Sequence, residues 1–271
     1  MSGRLESTLA TLRGEGKKAL VAYVCMGDPT IETSIEVAVA AAEAGADVLE
    51  LGVPFSDPIA DGPVIARASA RAIKGGAGIT KALEAARAIR ARVAAPLVLF
   101  SYYNPLFVRG PARSVEDAAR AGVDALLIVD LPPEEGAELR AAAKQHGLPV
   151  IPLLSPTTDD DRKARTLAGA SGFVYYVSVT GVTGSAEAPL AAARDAAAAL
   201  RAQGGLPVVV GFGIDSPEKA RLAAGAPGAG ADGVVVGTAI VKRVEESEGT
   251  AAATASVATL VRSLRAALDQ G

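Results

Sequence analysis

With 271 residues, half of them hydrophobic and only 4% aromatic, and with 29 glycines, the chain can fill a large core with closely packed elements. A formal charge of −3 lacks the basic excess of a nucleic-acid or anionic-membrane binder, and a single cysteine excludes an intrachain disulfide and a multi-thiolate metal site. The first twenty residues carry scattered charges without an apolar signal core, and the apolar runs are too short to span a bilayer. A soluble, cytoplasmic protein with neither nucleic acid nor membrane as partner is therefore expected.

The first predicted element is a helix with Leu5, Leu9 and Leu12 on one face. A β-rich run, ALVAYVC, starts at Ala19 and contains Cys25, read as a small buried hydrophobe. Further runs follow: DVLELG from Asp47, PLVLFS from Pro96, DALLIVD from Asp124, LPVIPLL from Leu148, FVYYVS from Phe173, LPVVVGF from Leu206 and DGVVVG from Asp232. Helical segments separate these eight runs, and Val257, Leu260, Val261, Leu264 and Leu268 stripe a last helix.

The joints repeat. EAGADVLEL, RAGVDALLI and GAGADGVVV each close an Ala-rich helix with glycine and enter the strand through Asp. In DSPEKARLAAGA, Ser216 can cap, Pro217 fits the first helical position and Glu218 complements the dipole. Eight strand–helix units point to a closed (β/α)8 TIM barrel with an extra N-terminal and an extra C-terminal helix, ahead of an open doubly wound sheet. No Pro/Ser-rich linker divides residues 1–271, so one domain is expected. The intervals after strands two and six are long, which marks them as functional loops.

LELGVPFSDPIADGP, residues 49–63, places Glu50 inside an apolar strand and Asp57 and Asp61 in a loop stiffened by prolines at 54, 58 and 63. Alternation turns Leu49 and Leu51 toward the helices and Glu50 into the barrel mouth, where burial raises a carboxyl pKa toward the range of proton transfer. The competing reading is that Glu50 pairs with an Arg or Lys and serves packing alone. Asp57 precedes a proline, where aspartate often does no more than start a turn.

Gly211 and Gly213 after strand seven, and Gly237 with Thr238 opening a short helix after strand eight, suit the phosphate site found at this rim of barrels. Thr183 and Gly184, in the glycine-bearing loop after strand six, can join them. Neither GxxxxGK[ST] nor GxGxxG is present. Asp159, Asp160 and Asp161 read as a helix start and not as a metal cluster. The only histidine, His146, falls near a helix C-terminus on the far side of the barrel, so no triad or metal centre is expected. Of the pairs Tyr102/Tyr103 and Tyr175/Tyr176, one of each should line the barrel.

These motifs, with GDP at 27–29, YYNP at 102–105, GVTG at 181–184, GFGI at 211–214 and GTAIVK at 237–242, resemble in order those of the tryptophan synthase alpha subunits, over nearly the whole chain. The resemblance implies a lyase that cleaves indole-3-glycerol phosphate reversibly, by a retro-aldol step, to indole and glyceraldehyde 3-phosphate, with no metal or organic cofactor. It implies Glu50 as the acid/base and Asp61 as the acceptor of the indole N–H. It places the phosphate at Gly184, Gly211, Phe212, Gly213, Gly237 and Thr238, and the indole pocket and lid at Tyr23, Phe100, Tyr102, Leu127, Leu153, Tyr175 and Thr183. A pyridoxal-phosphate-dependent beta subunit is the implied partner in an α2β2 assembly, faced by Asp57, Asn104 and Pro105. A stand-alone lyase or a non-catalytic activating subunit are the alternatives. Two departures stand out: GVTGSAEAPL lacks an arginine soon after GVTG, and AGAPGAGADG is a few residues long before strand eight, read as a surface insertion.

Overall fold

Each apolar run forms a strand in the computed structural model, which describes residues 3–177, 187–211, 213–226 and 228–270. The strands are β1 (Ala19–Cys25), β2 (Val48–Gly52), β3 (Leu97–Ser101), β4 (Ala125–Ile128), β5 (Leu153–Leu154), β6 (Val174–Val177), β7 (Val208–Gly211) and β8 (Gly233–Val236). All pairings are parallel, in the spatial order β4-β3-β2-β1-β8-β7-β6-β5. The ring closes between β4 and β5 through a bridge of Leu126 with Val150, in which the Leu126 N–H donates to Pro149 and the Ile151 N–H to Leu126, both at 2.8 Å. LPVIPLL yields only a two-residue strand because Pro149 and Pro152 have no N–H to give a ladder.

Alternation divides the side chains into two cores. Val21, Val48, Val98, Leu127, Phe173, Tyr175 and Val209 fill the barrel, and Leu5 and Leu9 of α1 (Arg4–Gly14) join them, plugging its N-terminal end. Leu20, Leu49, Leu51, Leu97, Leu99, Val208 and Val210 face outward under the helices. Each fully buried Leu contributes roughly 1.5–3 kcal/mol, so both layers bear on stability.

The outer ring comprises α2 (Ile31–Glu43), α4 (Ile79–Arg90), α6 (Pro111–Arg120), α7 (Ala137–Gln145), α8 (Asp160–Leu167), α9 (Glu187–Gly204), α10 (Pro217–Ala224) and α12 (Gly249–Asp269). The striped C-terminal helix, α12, buries Val257, Leu260, Val261, Leu264 and Leu268. Besides α1, helices α3 (Pro63–Lys74), α5 (Tyr103–Arg109) and α11 (Thr238–Glu245) follow β2, β3 and β8 at the mouth. Of these, α3 and α5 were not separated from their neighbours by the sequence pattern. Capping follows the sequence: Ser216 accepts the Lys219 N–H, Asp159 accepts the Arg162 N–H, and His146 sits exposed at the C-cap of α7.

The repeated Gly-x-Asp joints build the barrel floor. Gly122 adopts φ +82°, and an added Cβ would lie 2.6 Å from Arg90 Cγ. The aspartate two residues later reaches sideways to the preceding strand: Asp47 accepts the Leu20 N–H at 2.8 Å, Asp124 that of Leu97 at 2.8 Å, and Asp232 that of Val208 at 2.9 Å. Each also meets arginine, namely Arg265 on Asp47, Arg4 and Arg90 on Asp124, and Arg201 on Asp232. The segment before β8 is tied down at Gly228, Ala229 and Ala231: Lys18, 4% exposed, donates to the Ala231 carbonyl at 2.7 Å and to that of Ala229, and Arg201 donates to Gly228 at 2.9 Å.

Candidate active site

Glu50 sits in the middle of β2, paired with Tyr23 on β1 and Val98 on β3, and its neighbours Leu49 and Leu51 face the helices. It is 0% exposed, and neither carboxylate oxygen has a hydrogen-bond partner among the described residues. The packing-only ion pair with Arg or Lys is therefore absent among the described residues. Burial alone pushes the carboxyl up to about 8. Such a group is a neutral acid at pH 7 that can give up or take a proton.

Beyond β2 the chain turns through Pro54 and Pro58, and the Pro58 carbonyl accepts the Asp61 N–H at 3.1 Å. Asp61 is pushed up to about 6 by burial, opposed by a hydrogen bond from the Tyr102 hydroxyl. That hydroxyl also accepts the Ala60 N–H at 2.9 Å, so one tyrosine fixes both backbone and carboxylate of the turn. Phe55 packs on the Tyr102 ring at 5.1 Å. Asp57 is exposed; its carboxylate accepts the Ser56 hydroxyl at 2.6 Å and its carbonyl the Ile59 N–H at 2.9 Å.

Two tyrosines line the space between the carboxylates. Tyr23 and Tyr175 are buried and held well above the usual phenol range, by burial first and then, among their charged neighbours, by Asp61 and Glu50. Tyr23 stands opposite Glu50 in the register of β1 with β2, and both carboxylates raise both phenols. Each ring lies across a glycine two residues beyond its partner in the adjacent strand. A Cβ on Gly52 would sit 2.2 Å from the Tyr23 hydroxyl oxygen, and one on Gly211 2.3 Å from that of Tyr175. Gly211 therefore makes room for an aromatic ring, a reason the glycine-loop reading did not contain. Gly52 was missed altogether; a glycine ending a strand is the signal that could have marked it. Phe100 meets Tyr23 edge-on at 5.2 Å, Leu127 is fully buried inside the barrel, and Leu153 is half-buried beside it. Tyr103 and Tyr176 pack outward, as alternation requires.

The other end of the space has backbone donors. Gly237 caps α11 without any side-chain bond to the first turn, so the leading amides from Thr238 onward are free of such a cap; Thr238 is exposed. Gly213 is exposed at φ +72°, a conformation other residues rarely adopt. Thr183, Gly184 and Phe212, and the residues directly after GVTG, lie outside the described residues. On the same face, Asn104 is exposed and Pro105 half-buried, next to Phe107 and Val108 at 60% and 78% exposure. A groove of about 980 Å³ between α7 and α8 shares only Leu153 with these residues. Volume does not mark the site here; the buried carboxylates and glycine turns do.

The arrangement offers a neutral acid, an anion nearby, an apolar slot and an anion-binding rim. The family model of the tryptophan synthase alpha chain matches residues 9–269. A tryptophan synthase alpha chain of Geobacter sulfurreducens is 48% identical over 266 residues, covering 98% of each chain. The solved tryptophan synthase subunit alpha of Legionella pneumophila superposes with a TM-score of 0.90 at 36% identity, over the whole of both chains. A chain of Mycobacterium tuberculosis tryptophan synthase gives 0.89 at 33%, again over the whole of both. By its sequence, its barrel and this site, the chain belongs to the tryptophan synthase alpha chain family.

Proposed function

We propose that Glu50 and Asp61 carry the lyase reaction of this family member, the cleavage of indole-3-glycerol phosphate to indole and glyceraldehyde 3-phosphate in tryptophan biosynthesis. The observation behind this reading is the Glu50 carboxyl, wholly buried and without a partner. At pH 7 a group titrating near 8 is about nine-tenths protonated and one near 6 about nine-tenths ionised, so the pair supplies one acid and one anion at once.

Glu50 delivers its proton to the ring carbon that bears the glycerol chain, and the ring becomes a cation. Asp61, oriented by Tyr102, accepts the indole N–H and stabilises that charge. The carbon–carbon bond then breaks, its electrons restore the aromatic ring, and the adjacent hydroxyl loses its proton to Glu50 as the aldehyde forms. Protons and electrons balance, and Glu50 ends as it began. Tyr23, Phe100, Leu127, Leu153 and Tyr175 enclose the ring, while the first amides of α11 with Gly213, Gly211, Gly184 and Phe212 hold the phosphate. The strand-two loop and the strand-six loop with Thr183 close over the substrate.

The family's alpha subunit needs no cofactor of its own and works with a beta subunit; we assign pyridoxal phosphate to that partner, in an α2β2 assembly. Asp57, Asn104 and Pro105 face it, together with Ile59, Phe107 and Val108, which are 87%, 60% and 78% exposed. No helix among the described residues is long and apolar enough to cross a membrane, and we place this one-domain enzyme in the cytoplasm. Indole release by the purified chain, alone and with beta subunit, tests the reading. Activity that rises with the partner and is lost in Glu50→Gln supports it; a wild-type chain that releases no indole in either setting overturns it.

A further inference from the structure

An ion network outside the barrel mouth links the loop after β1 with α3 and α11. Asp28, 3% exposed in the loop after β1, accepts Nε–H and Nη2–H of Arg71 at 2.7 and 2.9 Å. The same guanidinium donates its Nη1–H to Glu245 Oε1 at 2.6 Å, and Arg67, one turn earlier on α3, donates to both oxygens of Glu245 at 2.8 Å. Below the network, Tyr23 and Cys25 of β1, Ile65, Ala68 and Ala72 of α3, and Val241 of α11 form one apolar cluster. Exposed ion pairs are usually worth little, but here a buried carboxylate is held bidentately by an arginine that also spans to a second acid.

The position of these contacts gives them meaning. Helix α3 begins at Pro63, two residues after Asp61, and α11 begins at Thr238, its first turn without a side-chain cap. Arg71 lies in the last turn of α3, and Glu245 is the last residue of α11. The network thus fastens both helices at the ends remote from the site and sets the direction in which each presents its first turn. We propose that Arg71 is a positioning residue for the cleavage: through Asp28 and Glu245 it keeps α3 and α11 in one orientation, so that a substrate anchored by its phosphate meets Asp61. The inference rests on the roles proposed above for Asp61 and the α11 amides.

The test compares Arg71→Met and Glu245→Gln with the wild-type full chain in steady-state cleavage, thermal melting, and titration with two probes. Glycerol 3-phosphate reports the phosphate end alone, and indole-3-propanol phosphate reports both ends together. A displacement on the order of 1 Å can lower a rate by about 100-fold, so kcat is expected to fall by about 10- to 100-fold. Glycerol 3-phosphate affinity should stay within about twofold while indole-3-propanol phosphate weakens by about tenfold, because only the joined ligand senses the register. A purely structural network would lower the melting temperature and leave kcat and both affinities of the folded protein unchanged, which would overturn the proposal. Equal weakening of both probes would overturn it too, by locating the damage in the cradle itself. If Arg71→Met does not fold, Glu245→Gln, which keeps its shape, decides. The underlying reading fails separately, if the wild type does not cleave or Asp61→Asn cleaves as well as wild type.

Discussion

The two ends of the barrel treat carboxylates withdrawn from water in opposite ways. At the floor, Asp47, Asp124 and Asp232 each accept a backbone N–H from the neighbouring strand and face arginine. At the mouth, Glu50 is more deeply buried than any of them and has no partner among the described residues. Desolvation opposes charge at both ends, most strongly at Glu50, and only at the floor is it offset by hydrogen bonds and opposite charge. Hence the floor fastens the strands, whereas the mouth leaves a carboxyl's proton unclaimed. An acid kept without a partner is available to a substrate.

The largest expected effect comes from ending that difference at Glu50. Replacement by Gln keeps the shape but removes the movable proton, and cleavage should fall by about 100- to 10,000-fold, the range of general acid–base catalysis. The same change should stabilise the fold at alkaline pH. The folded Glu50 titrates near 8, above its ordinary 4.5, so wild-type stability is fully present below about 4.5 and is lost as pH rises toward 8. Gln has no such loss, and melting curves of the two proteins should coincide near pH 4.5 and diverge up to pH 8, with the variant higher. Parallel curves across that range would mean that Glu50 is already charged and paired in solution.

A smaller effect separates the two mouth carboxylates from each other. Cleavage needs Asp61 ionised and Glu50 protonated, so kcat/KM of the free enzyme should rise with pH through about 6 and fall through about 8. In Asp61→Asn the acidic limb should vanish while the alkaline limb remains, at a rate lower by about 10- to 100-fold, the loss expected for one charge-stabilising group. An acidic limb that survives the substitution belongs to some other group, and Asp61 then has no part in it.

How far the sequence discloses this contrast depends on which residues carry it. The eight strands, the capping of α8 and α10 and the inward turn of Glu50 follow from local rules: period, caps and alternation. The floor aspartates were visible as a repeated joint, but their reach to Leu20, Leu97 and Val208 depends on which strands become neighbours, which the motif alone does not state. The same holds at the mouth. That Tyr23 and Tyr175 lie over Gly52 and Gly211 follows from register between strands, and that Tyr102 holds Asp61 requires two loops to meet. The short β5 and the helices α3 and α5 were blurred because prolines and brief turns interrupt otherwise continuous patterns.

Weakening the floor should leave the chemistry alone. Asp124 accepts from Leu97, Arg90 and Arg4 with its side chain 11% exposed, so Asp124→Asn strands cationic partners and costs about 2 kcal/mol, less than a fully buried pair because Arg4 is itself half in water. For a chain of this length that is a fall in Tm of about 4–8 °C. Below the melting range, kcat and KM should equal wild type. A loss of turnover in the folded variant would show that floor and mouth are coupled, against the division drawn here.

The smallest effect concerns a carboxylate on the mouth side, in the loop between β5 and α8, that has no part in the proposed chemistry. Asp159 is exposed, and its Oδ1 accepts the Arg162 N–H at 2.8 Å as the N-cap of α8, a helix with no buried residue. Because α8 is held so lightly, its cap is a large share of what keeps its first turn formed. Asp159→Ala should cost about 1 kcal/mol, the usual value of a lost N-cap. Hydrogen exchange should quicken at the amides of α8, with those of β2 and β4 and the rate of cleavage unchanged, since neither the floor bonds nor Glu50 depend on this turn. An exchange change that spread into β4 would mean that α8 braces the single-bridge closure between β4 and β5, making that seam a third determinant of the barrel beside its floor and its mouth.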